Sequence, residues 1–187
     1  MNLREKVLEV FEDSSFAPYT FEELKDIADN IFNYFEEHLS SNGLLKFDPR
    51  FWLFEDWSPL PKSNIPTFIN LWYIYCQEKY LMLLKAANYT DKASQLAEKI
   101  THQKELVSNL LFCQKEQLFL PEIGIDGQLC GTPSVHDQVL AILLDLQPQA
   151  TSNMLEKVIL PCLNGSLKEG AQPSAFWATY LLDCAFK

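Results

Sequence analysis

Six segments with apolar residues at helical spacing constrain the fold of this chain more than any other feature. The first, at about residues 21–39, begins beside Thr20 and Glu23, which fit a capping box. Its apolar stripe consists of Phe21, Leu24, Ala28, Ile31, Phe35 and Leu39. The other segments lie at about residues 66–87, 90–113, 133–146, 151–163 and 174–186. The pattern predicts an all-α fold, with a further short helix within residues 1–12.

The six predicted helices alternate in composition and in the length of their connections. The more apolar ones, which indicate an inner layer, are 66–87, 133–146 and 174–186. The long connections are residues 40–65, 114–133 and 164–173. The short ones, 88–90 and 147–150, suit antiparallel neighbours. Residues 1–187 are therefore expected to form a single domain of antiparallel helical hairpins, with inner and outer helices and all long connections at one end.

The first long connection contains FDPRFWLFEDWSPLP, residues 47–61, with five aromatic rings beside two adjacent carboxylates, Glu55 and Asp56. Its prolines prevent a long helix. Because rings stack on sugars and carboxylates bind hydroxyl groups, this composition favours a carbohydrate site. We expect Asp56 and Trp57 to line a cleft, with Trp52 packed beneath them. The alternative is that the rings attach the connection to the core, and that the carboxylates serve as a cap and a surface charge.

The other two long connections bring polar and aromatic candidates to the same end. These connections and the starts of the helices that follow them contribute Glu122, Asp126, His136, Asp137, Gln138, Glu169, Ser174, Phe176 and Trp177. Several of these residue types also have a structural explanation. His136 could bond a loop carbonyl, Trp52 and Trp177 could belong to the core, and Asp126 with the following glycine fits a turn. Their position at one end of the helical array, more than any one residue, favours a binding site.

Charge and composition argue against several classes of partner. Fifteen basic and twenty-five acidic residues give a net charge of −10, which disfavours nucleic acid and anionic membrane surfaces. No apolar run has the length of a membrane span, and no signal peptide is visible. Five widely spaced cysteines indicate buried free thiols in a reducing compartment, so a cytoplasmic location is expected. The three histidines are scattered, and neither a metal site nor a cofactor is expected.

Four segments, in order, resemble the catalytic domain of alpha-L-rhamnosidase-like six-hairpin glycosidases. They are NGLL (42–45), FWLFEDWSPL (51–60), SVHDQVLAILLDL (134–146) and PSAFWATYLLDCAF (173–186). The similarity covers about residues 30–187, and its most specific part is the Asp56-Trp57 pair. It implies a central and C-terminal part of an (α/α) toroid of six hairpins, a domain roughly twice as long as this chain.

The resemblance also implies a function and a set of site residues. That family hydrolyses rhamnosides with inversion, and this sequence lacks both motifs that supply its general acid and general base, so no catalytic residue is assigned. Asp56 and Trp57 would lie in the sugar pocket, with Trp52, His136 and Phe176 as further substrate-binding candidates. We expect a truncated or degenerate glycoside hydrolase that binds carbohydrate and is not catalytic alone. The alternative is a non-catalytic helical scaffold or protein-interaction module.

A partial toroid also predicts self-association. The inner helices of an incomplete ring would expose apolar walls larger than monomers usually tolerate. We therefore expect a homo-oligomer that buries the inner helices.

Overall fold

A computed structural model describes residues 21–50, 53–62 and 64–187, and this part of the chain is mostly helical. Its α-helices are α1 (Phe21–Glu37), α2 (Thr67–Ala86), α3 (Thr90–Leu110), α4 (Val135–Leu143), α5 (Thr151–Met154), α6 (Leu160–Leu163) and α7 (Ala178–Ala185). A π-helical segment, Leu155–Ile159, joins α5 to α6, so six helical stretches occupy the six predicted positions. The helical prediction is thereby confirmed. The leading helix predicted within residues 1–12 lies outside the described residues.

Two small antiparallel sheets were not predicted, so an all-α description is too strict. The strands are β1 (Ile65–Pro66), β2 (Phe112–Cys113), β3 (Leu118–Phe119), β4 (Glu122–Ile123) and β5 (Leu129–Cys130). One sheet has the order β1-β4-β5, and the other pairs β2 with β3. Strands of two residues are too short to show the alternation by which strands are recognised in a sequence. They matter here because β1 and β4 join the first long connection to the second.

The core is built around α2 and α4, two of the three helices predicted to form an inner layer. The α2 helix packs against α3 and α4, and α4 packs in turn against α7 and the π-helical segment. Residues 87–89 alone connect α2 to α3, so these neighbours run antiparallel. Leu84 and Leu140 are fully buried, and each such side chain stabilises the fold by about 1.5–3 kcal/mol.

The α1 helix lies at the edge of this core, and its predicted apolar stripe is partly wrong. Ile31 is 50% exposed, whereas Phe32 packs on the core, with its ring 5.8 Å from Tyr73 and 5.4 Å from Tyr80. Polar contacts hold the same face, because Asp29 accepts a hydrogen bond from the Tyr80 hydroxyl at 2.6 Å and pairs with a lysine of α3. Contacts with α2 and α3 thus determine which side of α1 packs on the core. The apolar stripe predicted from the sequence of α1 does not determine it alone.

The free thiols and the helices add three further observations. All five cysteines are free, but only Cys184 is buried and the other four are half-buried, so the expected burial is found at one position. Among the described helices, none is both long enough and apolar enough to cross a membrane. Within the described ranges, no group of three or more histidine, cysteine, aspartate and glutamate side chains is arranged to hold a metal ion.

Candidate functional site

Asp56 joins three separate parts of the chain at the end where the long connections meet. Its Oδ2 accepts hydrogen bonds from His136 Nε2, at the start of α4, and from the backbone N–H of Ser174, each at 2.8 Å. Its Oδ1 accepts from the Ser174 hydroxyl at 2.5 Å and from the N–H of Trp57 at 2.7 Å. Four donors therefore surround this carboxylate, and the first and third long connections are tied to α4 through it.

Electrostatics at this junction keep Asp56 ionised and His136 neutral. Burial by itself would raise the pKa of Asp56, but the hydrogen bonds from His136 and Ser174 outweigh it and hold the pKa below its ordinary value. Burial lowers the pKa of His136, against the opposing effect of Asp56. The imidazole therefore donates Nε2–H to the carboxylate. Its ring lies 4.5 Å from Trp177 and 5.7 Å from Phe68.

The first turn of α4 is buried, although it is polar. Ser134 caps the helix by accepting the N–H of Asp137 at 3.0 Å, and its hydroxyl donates to Asp137 Oδ2 at 2.6 Å. Gln138 donates to the carbonyl of Phe119 at 2.9 Å and accepts its N–H at 3.1 Å, which binds the start of α4 to β3. Asp137 and Gln138, both predicted from the sequence as candidates for sugar hydroxyls, thus make hydrogen bonds within the fold.

The third long connection is drawn tightly against α4. Val135 donates its N–H to the carbonyl of Ala171 at 3.0 Å. Gly170 has φ +96°, and a Cβ at that position would overlap the carbonyl oxygen of Pro133, so only glycine fits this approach. The sequence predicts a helix from about Ser174, but α7 begins at Ala178. Because Ser174 bonds Asp56 through its N–H and hydroxyl, its backbone belongs to the junction and not to the helix.

A cleft of about 230 Å³ opens beside this junction, between the first and third long connections and α2. Its walls are mainly aromatic and aliphatic. They are formed by Leu53, Phe54, Glu55, Phe68, Ile69, Trp72, Phe176 and Trp177. The volume lies below the roughly 300–1,000 Å³ of pockets for drug-sized ligands, so the cleft suits a small molecule.

Two buried polar groups of the cleft wall have no hydrogen-bond partner among the described residues. Glu55 is 6% exposed, and neither of its carboxylate oxygens is bonded. Trp177 is 1% exposed, and its indole N–H is likewise unbonded. Buried polar groups are nearly always hydrogen-bonded in folded proteins. An unpaired acceptor and an unpaired donor on the wall of one cleft are therefore unusual and call for an explanation.

Glu55 is also the group of the site that titrates near neutral pH. Burial raises its pKa to about 7, and Lys62 opposes the shift. Asp137 is entirely buried, and burial raises its pKa well above the ordinary value, with a further contribution from Glu55. Ionised Glu55 therefore disfavours the ionisation of Asp137. Both Glu55 and Asp56 are buried, so the interpretation of either as a surface charge is wrong.

The predicted site residues are placed differently from one another. Phe176 lines the cleft and is 68% exposed. Trp57 is 77% exposed and packs edge-on against Phe54 at 5.2 Å, outside the lining of the cleft. Asp56 and His136 lie buried at the junction. Trp52 lies outside the described residues. The part of each in substrate binding remains a prediction.

Glu55 and Trp72 line the cleft but are not among the substrate-binding residues that the sequence predicts, although the sequence carries a signal for each. Glu55 directly precedes the aspartate that was selected, and adjacent residues of an extended segment face different surroundings. Trp72 lies four residues after Phe68 on a helix, which places both rings on one face. In the structure these two rings are 5.6 Å apart and stacked. Nearly all of α2 is apolar, however, and that composition hides which face is open.

A second cleft, of about 340 Å³, adjoins the first and shares Leu53 and Ile69 with it. Two of its polar side chains bond within the chain: His38 bonds the carbonyl of Tyr34 at 2.6 Å, and Asp48 accepts hydrogen bonds from Arg50. It therefore offers an apolar surface without the unpaired groups of the first cleft.

Comparison with known proteins identifies similar folds but no family. No protein-family model matches the chain, and no curated protein matches it by sequence. The crystal structure of a GH78 family rhamnosidase of Bacillus sp. GL1 matches with a TM-score of 0.70 and 21% identity, over 84% of this chain and 16% of that chain. A rhamnosidase from Klebsiella oxytoca with rhamnose bound matches with a TM-score of 0.64 and 18% identity, over 98% of this chain and 33% of that chain.

The fold is therefore rhamnosidase-like. The chain spans less than two thirds of the length of either solved rhamnosidase, and at this level of identity the likeness concerns the fold.

Proposed function

We propose that this chain is a carbohydrate-binding, truncated or degenerate relative of the rhamnosidase-like glycoside hydrolases, and that it does not hydrolyse glycosides alone. The observation that carries the proposal is the cleft beside the Asp56 junction. It combines stacked rings with an unpaired buried carboxyl and an unpaired buried N–H. A sugar hydroxyl both donates and accepts hydrogen bonds, so it is suited to that pair of groups.

The aromatic residues of the cleft support a ring-shaped, partly apolar ligand. Trp72 and Phe68 form a stacked pair, and Phe176 contributes an exposed ring on the opposite connection. Leaving such a ring in water is unfavourable, whereas stacking it on the apolar face of a sugar removes that surface from water. The rhamnose bound in the Klebsiella oxytoca enzyme makes L-rhamnose the first ligand to test here.

The arrangement of carboxyl groups supports the absence of catalysis. Inversion requires an acid and a base on either side of the scissile bond, about 6.5–9.5 Å apart. Among the described residues, Glu55 is the one carboxyl on the lining of the cleft. Asp56 is occupied by four donors and Asp137 is entirely buried, so neither serves as the second group.

Binding can be tested by titrating the protein with L-rhamnose and following ligand signals by NMR. Changing Phe176 to Ala is expected to weaken binding about tenfold, because the stacking surface is lost. Phe186→Ala is the matched control, since Phe186 is 89% exposed and does not line the cleft. Equal losses in the two variants would contradict a binding site at the cleft.

Catalysis can be tested with a chromogenic aryl alpha-L-rhamnoside. No release of the aryl group above background is expected, because no acid and base pair faces the cleft. Turnover that is abolished by Glu55→Gln and retained in Phe186→Ala would show a working glycosidase and overturn the non-catalytic part of the proposal.

A protein-interaction module is the second candidate, and exposed apolar residues in α7 and directly after it favour it. Leu182 is 55% exposed and Phe186 is 89% exposed, whereas residues 135–142 of α4 are all buried. Self-association is therefore expected to use α7 and not α4. Light scattering at tens of micromolar should show a dimer or larger assembly that Leu182→Asp and Phe186→Ser dissociate. A monomer in the unmodified protein would contradict self-association, and sugar titration would then decide between the two functions.

A further inference from the structure

The charge around the cleft is one-sided. Glu55 lies on its wall, and its carboxyl is close enough to that of buried Asp137 to help raise the pKa of Asp137. No lysine, arginine or histidine is among the described residues that line the cleft. Lys62, on the same connection, acts on Glu55 through its charge but makes no hydrogen bond to it.

The neighbouring junction supplies no compensating cation. Asp56 is an ionised carboxylate and its partner His136 is neutral, so this pair carries a negative charge and offers Glu55 no cation. Lys62 acts on Glu55 through its charge, and Asp137 from α4 is close enough for Glu55 to help raise its pKa. Asp56 is the next residue along the chain. An ionised carboxylate in such surroundings lacks the partner that buried charges normally have.

A cationic ligand would supply what the wall lacks. An ammonium group near the Glu55 carboxylate restores a buried ion pair, and a low local dielectric makes this attraction effective even without direct contact. The walls add to it, because the faces of Trp72, Phe68 and Phe176 attract cations. An acidic ligand would meet uncompensated negative charge and would be excluded.

We propose that Glu55 makes the cleft selective for sugars that carry an amino group over their neutral and acidic counterparts. This inference rests on the proposed carbohydrate-binding function and names the ligand class of that site. The selectivity is present when Glu55 is ionised and is lost when Glu55 is protonated. The wild-type preference therefore changes with pH, which gives a measurement independent of any substitution.

The test uses three ligands that differ at one carbon: 6-amino-6-deoxyglucose, glucose and glucuronic acid. Dissociation constants are measured by calorimetry or NMR on the full chain at pH 8.5 and pH 5.5. At pH 8.5 the amino sugar is expected to bind about tenfold more tightly than glucose, and glucuronic acid more weakly than glucose. At pH 5.5 the amino sugar and glucose should differ by less than about threefold, because the carboxyl is then protonated.

Two variants complete the test. Glu55→Gln keeps the shape of the side chain and should bind the amino sugar and glucose equally at either pH. Glu98→Gln, an exposed glutamate on α3, should behave as wild type. A preference for the amino sugar that persists in Glu55→Gln, or that does not change with pH, would overturn the inference and leave carbohydrate binding intact. Binding of none of the three sugars or of L-rhamnose would overturn the proposed function together with the inference.

Discussion

Asp29 and Asp56 are both carboxylates with lowered pKa values, yet they hold the molecule together in opposite ways. Asp29 lies on the seam between α1, α2 and α3, with 21% of its side chain exposed, and lysines surround it. Asp56 has a fully buried side chain and only neutral donors as partners. The first is an ion pair that water can replace, and the second is a buried hydrogen-bonded joint that water cannot reach.

The difference extends to the regions around them. Along the α1 seam no residue of α1 is buried, and a further ion pair joins Glu36 to Lys99 with both side chains partly exposed. At the junction, Ser134, His136, Asp137 and Gln138 are polar and buried. Exposed pairs contribute little to stability, whereas groups at a buried junction are costly to leave unpaired. The seam should therefore tolerate substitution, and the junction should not.

The largest effect is expected from removing the joint itself. Asp56→Ala leaves the buried ring N–H of His136 and the two half-buried donors of Ser174 without an acceptor. Each unsatisfied group costs about 1–3 kcal/mol, so the free energy of unfolding should fall by about 3–5 kcal/mol. Asp29→Ala, the matched control on the seam, should cost about 1 kcal/mol. Urea unfolding measures both losses. Equal losses would show that burial does not distinguish the two carboxylates.

The next effect concerns pH, because Glu55 is buried without a partner. Its ordinary pKa of 4.5 is raised to about 7 in the fold. Below pH 4.5 both states are protonated. Between 4.5 and about 7 only the unfolded chain releases the proton, so stability decreases as pH rises, by up to about 3 kcal/mol in total.

Glu55→Gln should remove this share of the pH dependence. The variant is expected to be more stable than wild type at pH 8 and about equally stable at pH 4. Glu55→Gln also removes the contribution of Glu55 to the raised pKa of Asp137, and this acts in the same direction. The difference between the two proteins therefore measures Glu55 together with its effect on Asp137. Urea unfolding from pH 4 to pH 8 measures it. Parallel curves for the two proteins would refute the assignment.

The smallest effect is expected on the seam. Lys99→Ala removes the ion pair with Glu36 and should cost about 0.5 kcal/mol at low salt, since the Lys99 side chain is 53% exposed. In about 1 M sodium chloride the cost should vanish, because exposed charges are screened. The loss caused by Asp56→Ala should persist in the same salt. A loss of stability in Lys99→Ala that does not change with salt would contradict the view that this ion pair is exposed to solvent.

Much of the helical framework could be predicted from local patterns, and the failures have physical reasons. The bounds of α2 and α3 follow from apolar periodicity within each segment. The start of α7 was misplaced because Ser174 bonds a carboxylate 118 residues away. The orientation of α1 was partly wrong because Phe32, and not Ile31, meets the rings of α2. The two-residue strands leave no pattern of their own, since their partners are supplied by distant segments.

The candidate site shows the same division more sharply. The sequence indicated that the long connections share one end of the array, and the structure does bring the first connection to the third through Asp56 and to the second through β1 and β4. The sequence could not indicate that Asp56 would accept four hydrogen bonds, or that its neighbour Glu55 would have no hydrogen-bond partner on the cleft wall. Adjacent acids look alike in a sequence, and only their surroundings assign different roles to them.

The sequence by itself determined the positions of the six helical stretches and the lengths of their connections. It also determined which end of the helical array carries the long connections, with their polar and aromatic residues. These properties depend on residues within one or two turns of each other, where periodicity and capping act. The tertiary structure decided which polar side chains are buried, which are paired and which remain open to a ligand. His136 meets Asp56 across 80 residues of chain, and a contact of that kind is specified only when the packed helices bring the two together.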